Sequence, residues 1–410
     1  MPTIQADRLL RDLQELRSFG ATGSGVVRPS LSAVDMQARH WLASKMTAAG
    51  LVAKIDGIGN VFGRSVNPGK ALLVGSHSDT QPTGGWLDGA LGVIYAIEAA
   101  RALREDRDHA CLPIDTVAWV DEESTFASCL GSRSFCSMVS DDERNSAVNA
   151  SGQTLAAALE AAGLTGIADT ADNARYLGYL EAHIEQGPHL EANARRIGVV
   201  TSIVGSRNFS VQFIGQQNHA GSTPMAMRKD AGLSMMSFGY QINEALQACC
   251  GPKSVWTIGT LSVTPGAPSI IPGFAQCHLQ MRDPDDGQLD VLEGAVRKVI
   301  ARMNSTGPVD VSMRAYAPPI RPAPMDSGFQ QHLADAAAEF APRDWVSMPS
   351  AAVHDAMFMA KIMPAGMMFI PSIGGVSHDF SENTSEADIV LGARVFTAAI
   401  ASILREANQG

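Results

Sequence analysis

Three histidines of this chain lie in short polar segments that also contain glycine, namely His77, His183 and His378. Imidazole is the commonest metal ligand near neutral pH, and glycine allows a close approach of the backbone. A single histidine is more often structural than functional. These histidines, however, occur together with Asp88 and with the adjacent carboxylates of Glu122 and Glu123. This combination predicts a metal site with acid–base chemistry.

Two almost wholly apolar segments lead into the predicted site. Residues 71–75 and 114–120 have the composition of strands that are buried on both faces. Each run ends in polar residues, and a helix is predicted between them over 89–104. Parallel strands connected by a helix present functional residues at their carboxyl ends. The pattern therefore predicts an α/β fold with the site at that edge of the sheet.

The middle of the chain has a different character. Residues 208–215 alternate between apolar and polar positions, as a half-buried antiparallel strand does, and further strands and helices follow. A proline-rich segment at 317–324 predicts a linker. We therefore predict a discontinuous first domain, residues 1–208 and 318–410, and a second domain, residues 209–317, inserted into it.

Length and composition disfavour several other classes of protein. The 410 residues are 45% hydrophobic and 18% charged and have a net charge of −11, which favours two globular domains with large cores. The acidic balance disfavours nucleic-acid binding, and no apolar run approaches the ~18 residues of a membrane span. Six cysteines without paired spacing and a start without an apolar signal segment predict reduced thiols in a cytoplasmic protein.

Several longer segments are similar to one known family; they comprise residues 75–79, 84–89, 122–123, 181–188, 218–225, 282–283, 354–356 and 377–378. The sequence resembles the M20-type metallo-amidohydrolases. Within these it resembles the hydantoinase/carbamoylase branch of N-carbamoyl-L-amino acid hydrolases and allantoate amidohydrolases. The resemblance implies an α/β, mixed-sheet, peptidase-like catalytic domain with a dinuclear metal site. The inserted domain would be an α+β lid or dimerisation domain.

The resemblance also implies a pair of divalent metal ions in each subunit. His77 and His183 would bind one ion, Glu123 and His378 would bind the other, and Asp88 would bridge both. Such a mixture of imidazole and carboxylate suits Zn²⁺, the first expectation, or Mn²⁺, Co²⁺ and Ni²⁺ better than Ca²⁺. Open coordination positions would let a bridging water lose a proton near neutral pH.

The carboxylates beside these ligands are expected to differ in role. Neighbouring side chains of an extended segment point to opposite sides, so Glu122 and Glu123 are not expected to bind one ion. By resemblance, Glu123 is the ligand and Glu122 is the general base and then the general acid, with a pKa tuned toward the working pH. Asp79 either fixes the tautomer of the His77 imidazole or caps a turn.

The resemblance further implies a small carboxylate substrate and a homodimer. Arg282 would pair with the carboxylate. His219, which in this family reaches the site from the partner subunit, would stabilise the tetrahedral oxyanion. Gln186 and His354 would contact the substrate, and Ser269 occupies the position where the family usually has an asparagine that does so.

The departures from the family pattern all lie on this substrate side. Besides Ser269, Gln280 replaces a common aspartate, and the segment between Glu123 and Gly131 is shorter than usual and lacks an arginine. A serine hydroxyl is shorter than an asparagine amide and offers different hydrogen bonds. The pattern therefore specifies the hydrolytic residues and leaves the exact substrate and its stereochemistry open.

Together these residues predict a metal-dependent amidohydrolase that cleaves the ureido or amide C–N bond of an N-carbamoyl amino acid. The same chemistry on allantoate or another ureide, on an N-acylamino acid or on a dipeptide stays an alternative. A metal-binding scaffold without activity is disfavoured because the five implied ligands and the base are present. A nucleotide or redox enzyme has no support, since neither a dinucleotide fingerprint nor a P-loop occurs.

Overall fold

The structure is a computed structural model that describes residues 1–172 and 174–409. The chain divides into two compact units. The first unit comprises Met1–Thr201 and Pro324–Gly410, and the second comprises Ser202–Ala323. The second unit includes the predicted insertion, residues 209–317, and extends beyond it at both ends.

Both units contain helices and strands. The α-helices are α1 (Ala6–Ser18), α2 (Ala33–Ala48), α3 (Ala90–Glu105), α4 (Leu130–Phe135), α5 (Asp141–Ser146), α6 (Leu155–Ala161), α7 (His189–Ala192), α8 (Ala231–Gln247), α9 (Asp286–Thr306), α10 (Ser327–Phe340), α11 (Ala356–Met359) and α12 (Glu386–Gln409). The strands are β1 (Ala21–Thr22), β2 (Gly25–Val26), β3 (Val52–Ile55), β4 (Val61–Arg64), β5 (Ala71–His77), β6 (Ile114–Trp119), β7 (Tyr176–Ile184), β8 (Ile197–Ile203), β9 (Gly205–Ile214), β10 (Asn218–His219), β11 (Val255–Thr264), β12 (Ile270–Ile271), β13 (Phe274–Asp283), β14 (Asp310–Ala315), β15 (Ala323–Pro324), β16 (Trp345–Ser350) and β17 (Ala365–Ile370).

The first unit is built on a mixed sheet, which confirms the predicted α/β class. In the part of the chain that the structure describes, this sheet has nine strands in the order β15-β8-β17-β7-β5-β6-β4-β3, with β16 paired to β8. Strands β6, β5, β7 and β17 run parallel, whereas β3, β4 and β8 pair antiparallel with their neighbours. The parallel strands bring the carboxyl ends of β5, β6 and β7 to one edge of the sheet.

Strand β7 is absent from the sequence-based prediction. The charged side chains of Glu181 and His183 interrupt its apolar pattern, although both are buried. Glu181 is compensated by hydrogen bonds, because its Oε1 accepts from Ser76 Oγ at 2.7 Å and its Oε2 from the Ala356 amide at 2.9 Å. A buried strand can therefore carry acidic residues when their partners come from other parts of the fold.

The last helix, α12, is apolar enough to resemble a membrane span. By length and composition, residues Glu386–Asn408 pass for such a span, but 72% of the apolar window is buried inside the protein. Val395, Phe396 and Ile400 belong to the core of the first unit. The apolar character of α12 is thus that of a core helix.

The second unit is an antiparallel sheet with α8 and α9 packed against it. Its strand order is β11-β13-β9-β14. Apolar side chains of β9 and β13, including Phe213 and Leu279, form a core with Phe238 of α8 and Val296 of α9. The predicted linker at 317–324 is in part structured, because Ile320 exchanges backbone hydrogen bonds with Ser206 at 2.8 and 3.0 Å.

Candidate metal centre

One group of potential ligands forms where two parallel strands end. His77 is the last residue of β5, His183 lies near the end of β7, and Asp88 precedes α3. His183 Nε2 lies 3.0 Å and His77 Nε2 lies 3.5 Å from Asp88 Oδ1. All three residues are buried, and their donor atoms lie within 4.8 Å of one another. This spacing is compatible with a single ion bound between them.

A second group uses the other oxygen of the same aspartate. His378 Nε2 lies 3.3 Å from Asp88 Oδ2 and 3.6 Å from Glu123 Oε1. The donor atoms of Asp88, Glu123 and His378 again lie within 4.8 Å of one another. Glu123 Oε1 is buried and has no hydrogen-bond partner among the described residues, as a ligand atom reserved for an ion would. The donors of both groups would therefore fit a pair of cations, and Asp88 belongs to both groups.

The turn that contains Asp88 is held by a residue that the sequence analysis missed. Glu382 Oε1 accepts hydrogen bonds from the amides of Leu87 and Asp88 at 3.2 and 3.1 Å, and its Oε2 accepts one from Ser377 at 2.8 Å. Burial raises the pKa of the Glu382 carboxyl to about 7. An acidic residue four positions after His378 is the signal that could have identified it.

Glycine is required at position 89 for two reasons. Gly89 has a φ of +63°, a backbone conformation that residues other than glycine adopt rarely. A Cβ there would lie 2.4 Å from His77 Nε2. The glycine that follows Asp88 thus lets the turn approach the His77 imidazole closely.

Glu122 and Glu123 face different neighbours, as predicted, but the predicted extended segment is wrong. Both lie in a turn after β6, between Asp121 and Ser124, which have positive φ values of 58° and 65°. Glu122 Oε2 lies 3.7 Å from His77 Nε2, whereas Glu123 Oε1 faces His378. Burial raises the pKa of the Glu122 carboxyl well above its usual range. Glu123 is also contacted by Gln81, another residue that the sequence analysis missed, whose Nε2 donates to Glu123 Oε2 at 2.7 Å.

Asp79 caps a turn with its carboxylate, which was one of its two predicted roles. Its Oδ2 accepts from the Glu123 amide at 3.1 Å, and its Oδ1 accepts from the Glu122 amide at 3.4 Å. The backbone oxygen of Asp79, at 3.2 Å, is closer to His77 Nδ1 than its carboxylate, at 3.7 Å. The His77 tautomer is therefore fixed by a backbone carbonyl, and the carboxylate orients the segment that carries both glutamates.

Hydrogen bonds inside the cluster counteract the effect of burial on the pKa of Asp88. Burial alone would raise the pKa of the Asp88 carboxyl, but hydrogen bonds from three histidines hold it well below its usual range. The hydrogen bond to Asp88 raises the pKa of His378 to about 9, and burial raises the pKa of Glu123 to about 7. In the metal-free protein, protons therefore compete with cations for His378 and Glu123.

We expect metal affinity to increase with pH for this reason. Below a pH of about 9 the metal-free His378 carries a proton, which must leave before Nε2 can bind an ion. Affinity should rise about tenfold per pH unit for each proton displaced, measured by chelator competition at pH values of about 6.5, 7.5 and 8.5. In His378→Ala this slope should decrease by about one proton. An affinity that does not change with pH would contradict the proton competition.

The two substrate contacts predicted in the first unit lie beside the ligands. Gln186 Nε2 donates to Asp88 Oδ2 at 3.0 Å and lies 3.3 Å from His378 Nε2. His354 is only 1% exposed, and its Nε2 lies 3.0 Å from the hydroxyl of Ser350. Its ring packs edge-on against that of His183, with 4.6 Å between the ring centroids. The His354 side chain thus supports the imidazole of His183, a potential ligand, and the contact of His354 with substrate stays a prediction.

Two predicted substrate residues of the second unit lie together. Strands β10 and β12 pair His219 with Ile270, and the Ala220 amide donates to the Ser269 carbonyl at 3.0 Å. His219 Nδ1 accepts from the amides of Gly221 and Ser222 at 3.1 and 3.0 Å. A ring nitrogen that accepts carries no proton, so these bonds favour the neutral tautomer with its proton on Nε2. The exposed His219 is therefore oriented as a hydrogen-bond donor.

Arg282 lies at the end of β13 in the same unit. Its Nε donates to Gln280 Oε1 at 2.9 Å, and Gln280 Nε2 donates to Asn208 Oδ1 at 2.8 Å. Burial lowers the pKa of the Arg282 guanidinium. The sequence indicated Arg282 and the unusual Gln280, whereas only the structure shows the contact of Asn208 with Gln280.

Known proteins are similar to this chain in sequence and in fold. A family model described as peptidase family M20/M25/M40 matches residues 73–402. An N-carbamoyl-L-amino-acid amidohydrolase of Paenarthrobacter aurescens is 35% identical over 403 residues, which cover 95% of this chain and 96% of the relative. An allantoate amidohydrolase of Bacillus subtilis is 32% identical over 94% of both chains.

A solved structure is similar along the whole chain. This crystal structure of an amidase of the hydantoinase/carbamoylase family from Burkholderia phymatum has 50% sequence identity and a TM-score of 0.94, and the match covers 99% of both chains. Sequence and fold therefore confirm the resemblance that the short segments indicated.

Proposed function

The chain belongs to peptidase family M20/M25/M40, and from this premise we propose that it hydrolyses the ureido C–N bond of an N-carbamoyl amino acid. It is a metal-dependent amidohydrolase, a hydrolase of linear amides or ureides. The observation that carries the proposal is the shared aspartate, whose two oxygens face two separate groups of potential ligands. A bridged pair of cations is suited to activating water for attack on an amide.

The proposed ligands are His77, Asp88 and His183 for one ion, and Asp88, Glu123 and His378 for the other. When bound, such ions would polarise the ureido carbonyl and lower the pKa of the attacking water. Zn²⁺ is the proposed cation, with Mn²⁺, Co²⁺ and Ni²⁺ compatible with the same donors. The orphaned Glu123 Oε1 and the absence of thiolates in the two donor groups support this choice.

Glu122 is the proposed proton carrier. It would take a proton from the attacking water and later give it to the leaving nitrogen, as a buried carboxyl with a raised pKa can do near neutral pH. With an N-carbamoyl amino acid, cleavage yields the free amino acid, carbon dioxide and ammonia. An inactive metal-binding scaffold would have no need for a carboxylate in this position.

Substrate contacts are proposed for side chains of each unit. We propose that Arg282 binds the substrate carboxylate and that His219, through its Nε2–H, donates to the oxyanion. Gln186 and His354 in the first unit, and Ser269 in the second, are the other proposed contacts. The fixed donor tautomer of His219 supports its role, because an oxyanion needs a donor.

Allantoate is the second candidate substrate. It too is a ureide with a carboxylate, and the similar Bacillus subtilis protein is named as its amidohydrolase. Ser269 and Gln280 depart from the usual family pattern, Ser269 at a proposed substrate contact and Gln280 beside Arg282.

A substrate panel tests the proposed function. Enzyme reconstituted separately with Zn²⁺, Mn²⁺, Co²⁺ and Ni²⁺ is assayed on N-carbamoyl amino acids of both configurations, allantoate, N-acetyl amino acids and dipeptides. We expect the highest kcat/KM on N-carbamoyl amino acids, with amino acid and ammonia released in equal amounts. Turnover of only acyl compounds would reject the ureido assignment, and fastest turnover of allantoate would select the second candidate.

We further propose that the enzyme is a cytoplasmic homodimer that associates through its second unit, which would also act as a lid. The support comes from β11, an outer strand of its sheet, where Val255 and Leu261 are 54% and 63% exposed. Met236 and Tyr240 of α8 are also exposed. An exposed strand edge with apolar side chains is suited to pairing with a second chain. Sedimentation equilibrium should give a dimer, and a monomer would reject this proposal.

A further inference from the structure

Arg282 is the last of a row of polar side chains on one face of the second unit's sheet. On β13 the partly buried Gln276, His278, Gln280 and Arg282 alternate with buried residues. The neighbouring strand β9 places Asn208 directly opposite Gln280. Asn208 is only 8% exposed, so the contact between the two amides is shielded from water.

The direction of each hydrogen bond in this row is determined by the donor at its end. A guanidinium can only donate, so Gln280 must present its oxygen to Arg282 Nε, at 2.9 Å. The Gln280 amide nitrogen then faces the other way and donates to Asn208 Oδ1 at 2.8 Å. Asn208 thus stabilises the one orientation of Gln280 that can accept from the arginine.

We propose that Gln280 is a positioning and specificity-determining residue, which orients Arg282 for a substrate carboxylate without itself adding a negative charge beside the guanidinium. This inference rests on the proposed function, in which Arg282 binds that carboxylate. An amide oxygen accepts a hydrogen bond without contributing a formal charge, whereas a carboxylate at the same distance would form an ion pair. The neutral Gln280 side chain therefore does not weaken the attraction of Arg282 for an anionic substrate.

Burial increases the consequence of this neutral partner. A charge in a partly desolvated position interacts more strongly with an anion than it would in water. Burial lowers the pKa of Arg282, which agrees with a cation that gains from an incoming negative charge. We therefore expect the site to prefer small molecules with a carboxylate over their neutral carboxamides.

Paired substitutions separate orientation from charge. Gln280→Leu removes the acceptor for Arg282, whereas Gln280→Glu keeps that acceptor and adds a negative charge. Both variants lose the hydrogen bond that Gln280 Nε2 donates to Asn208, so the comparison between them isolates the acceptor and its charge. Each is assayed on the best N-carbamoyl amino acid of the panel and on its primary carboxamide. Gln276→Leu and Gln276→Glu are the matched controls, because Gln276 lies on the same face of β13 and contacts Gln212 and His278.

For Gln280→Glu we expect KM for the carboxylate substrate to rise about tenfold or more with little change in kcat. Its KM for the carboxamide should stay unchanged, so that the preference for the anion falls about tenfold. Gln280→Leu should also raise KM for the carboxylate about tenfold, and both Gln276 variants should match the parent enzyme. Melting temperatures identify any variant that fails to fold.

Wild-type KM and wild-type preference for the anion in Gln280→Glu would overturn the proposal. Arg282→Ala distinguishes this failure from failure of the proposed function. If Arg282→Ala raises KM for the carboxylate and Gln280→Glu does not, only the role of Gln280 is rejected. If neither substitution changes KM, the assignment of Arg282 to the substrate carboxylate is itself wrong.

Discussion

Replacing Glu122 with glutamine should lower kcat by about three orders of magnitude while leaving the metal content of the enzyme unchanged. Glutamine has nearly the shape of glutamate but cannot accept a proton from the attacking water or return it to the leaving nitrogen. Glu122 Oε2 lies 3.7 Å from His77 Nε2, beside the ligand groups and not within either of them. Metal analysis and steady-state kinetics on the same samples test both halves of this expectation.

Glu185→Gln is a matched control for this substitution. Glu185 follows β7 at the same edge of the sheet, and its oxygens accept from the amides of His189 and Leu190 at 2.8 and 2.7 Å. Loss of the Glu185 carboxylate should affect the start of α7 and leave kcat within a few-fold of that of the parent enzyme. A Glu122→Gln enzyme that retains more than about a tenth of the parent kcat would contradict the role of Glu122 as the general base.

Asp88→Asn should have a comparable effect on activity by a different route. Asp88 presents Oδ1 to His77 and His183 and Oδ2 to His378, so it is the residue that both ligand groups share. An asparagine has one oxygen and no charge, and it cannot bridge a pair of cations. We expect the metal content to fall below that of the parent and kcat to drop about a thousandfold or more.

Thermal unfolding gives a readout of this substitution that is independent of activity. A cation that binds only the folded state raises the melting temperature, so added metal should stabilise the parent and have little effect on Asp88→Asn. Asp379→Asn is the control, because Asp379 is exposed and accepts hydrogen bonds from the amide and hydroxyl of Ser381. A full complement of metal in Asp88→Asn would reject the shared-ligand assignment.

The sequence predicted the mixed α/β class because its signals are local. Apolar runs of strand length that end in polar residues can be recognised without knowledge of the rest of the chain, and β5 and β6 lie where these runs predict them. Strand β7 escaped prediction because Glu181 makes it seem too polar to be buried. The Glu181 carboxylate accepts hydrogen bonds from the Ser76 hydroxyl and the Ala356 amide, which lie in distant segments of the chain.

The sequence by itself determined which donor chemistry is available and that it gathers at strand ends, since residue type and hydrophobic period are properties of short segments. Only the tertiary structure decided how the donors are held. Glu382 stabilises the turn at Asp88 by accepting from the Leu87 amide, which is 295 positions away in the sequence. Asn208 accepts from Gln280, which is 72 positions away. Such hydrogen bonds depend on the paths of separate loops and strands, so residue type and spacing can suggest a polar residue but not its partner. For Asp79 a turn cap was one of the two predicted roles, but which turn it caps, that of Glu122 and Glu123, depends on where two neighbouring strands end.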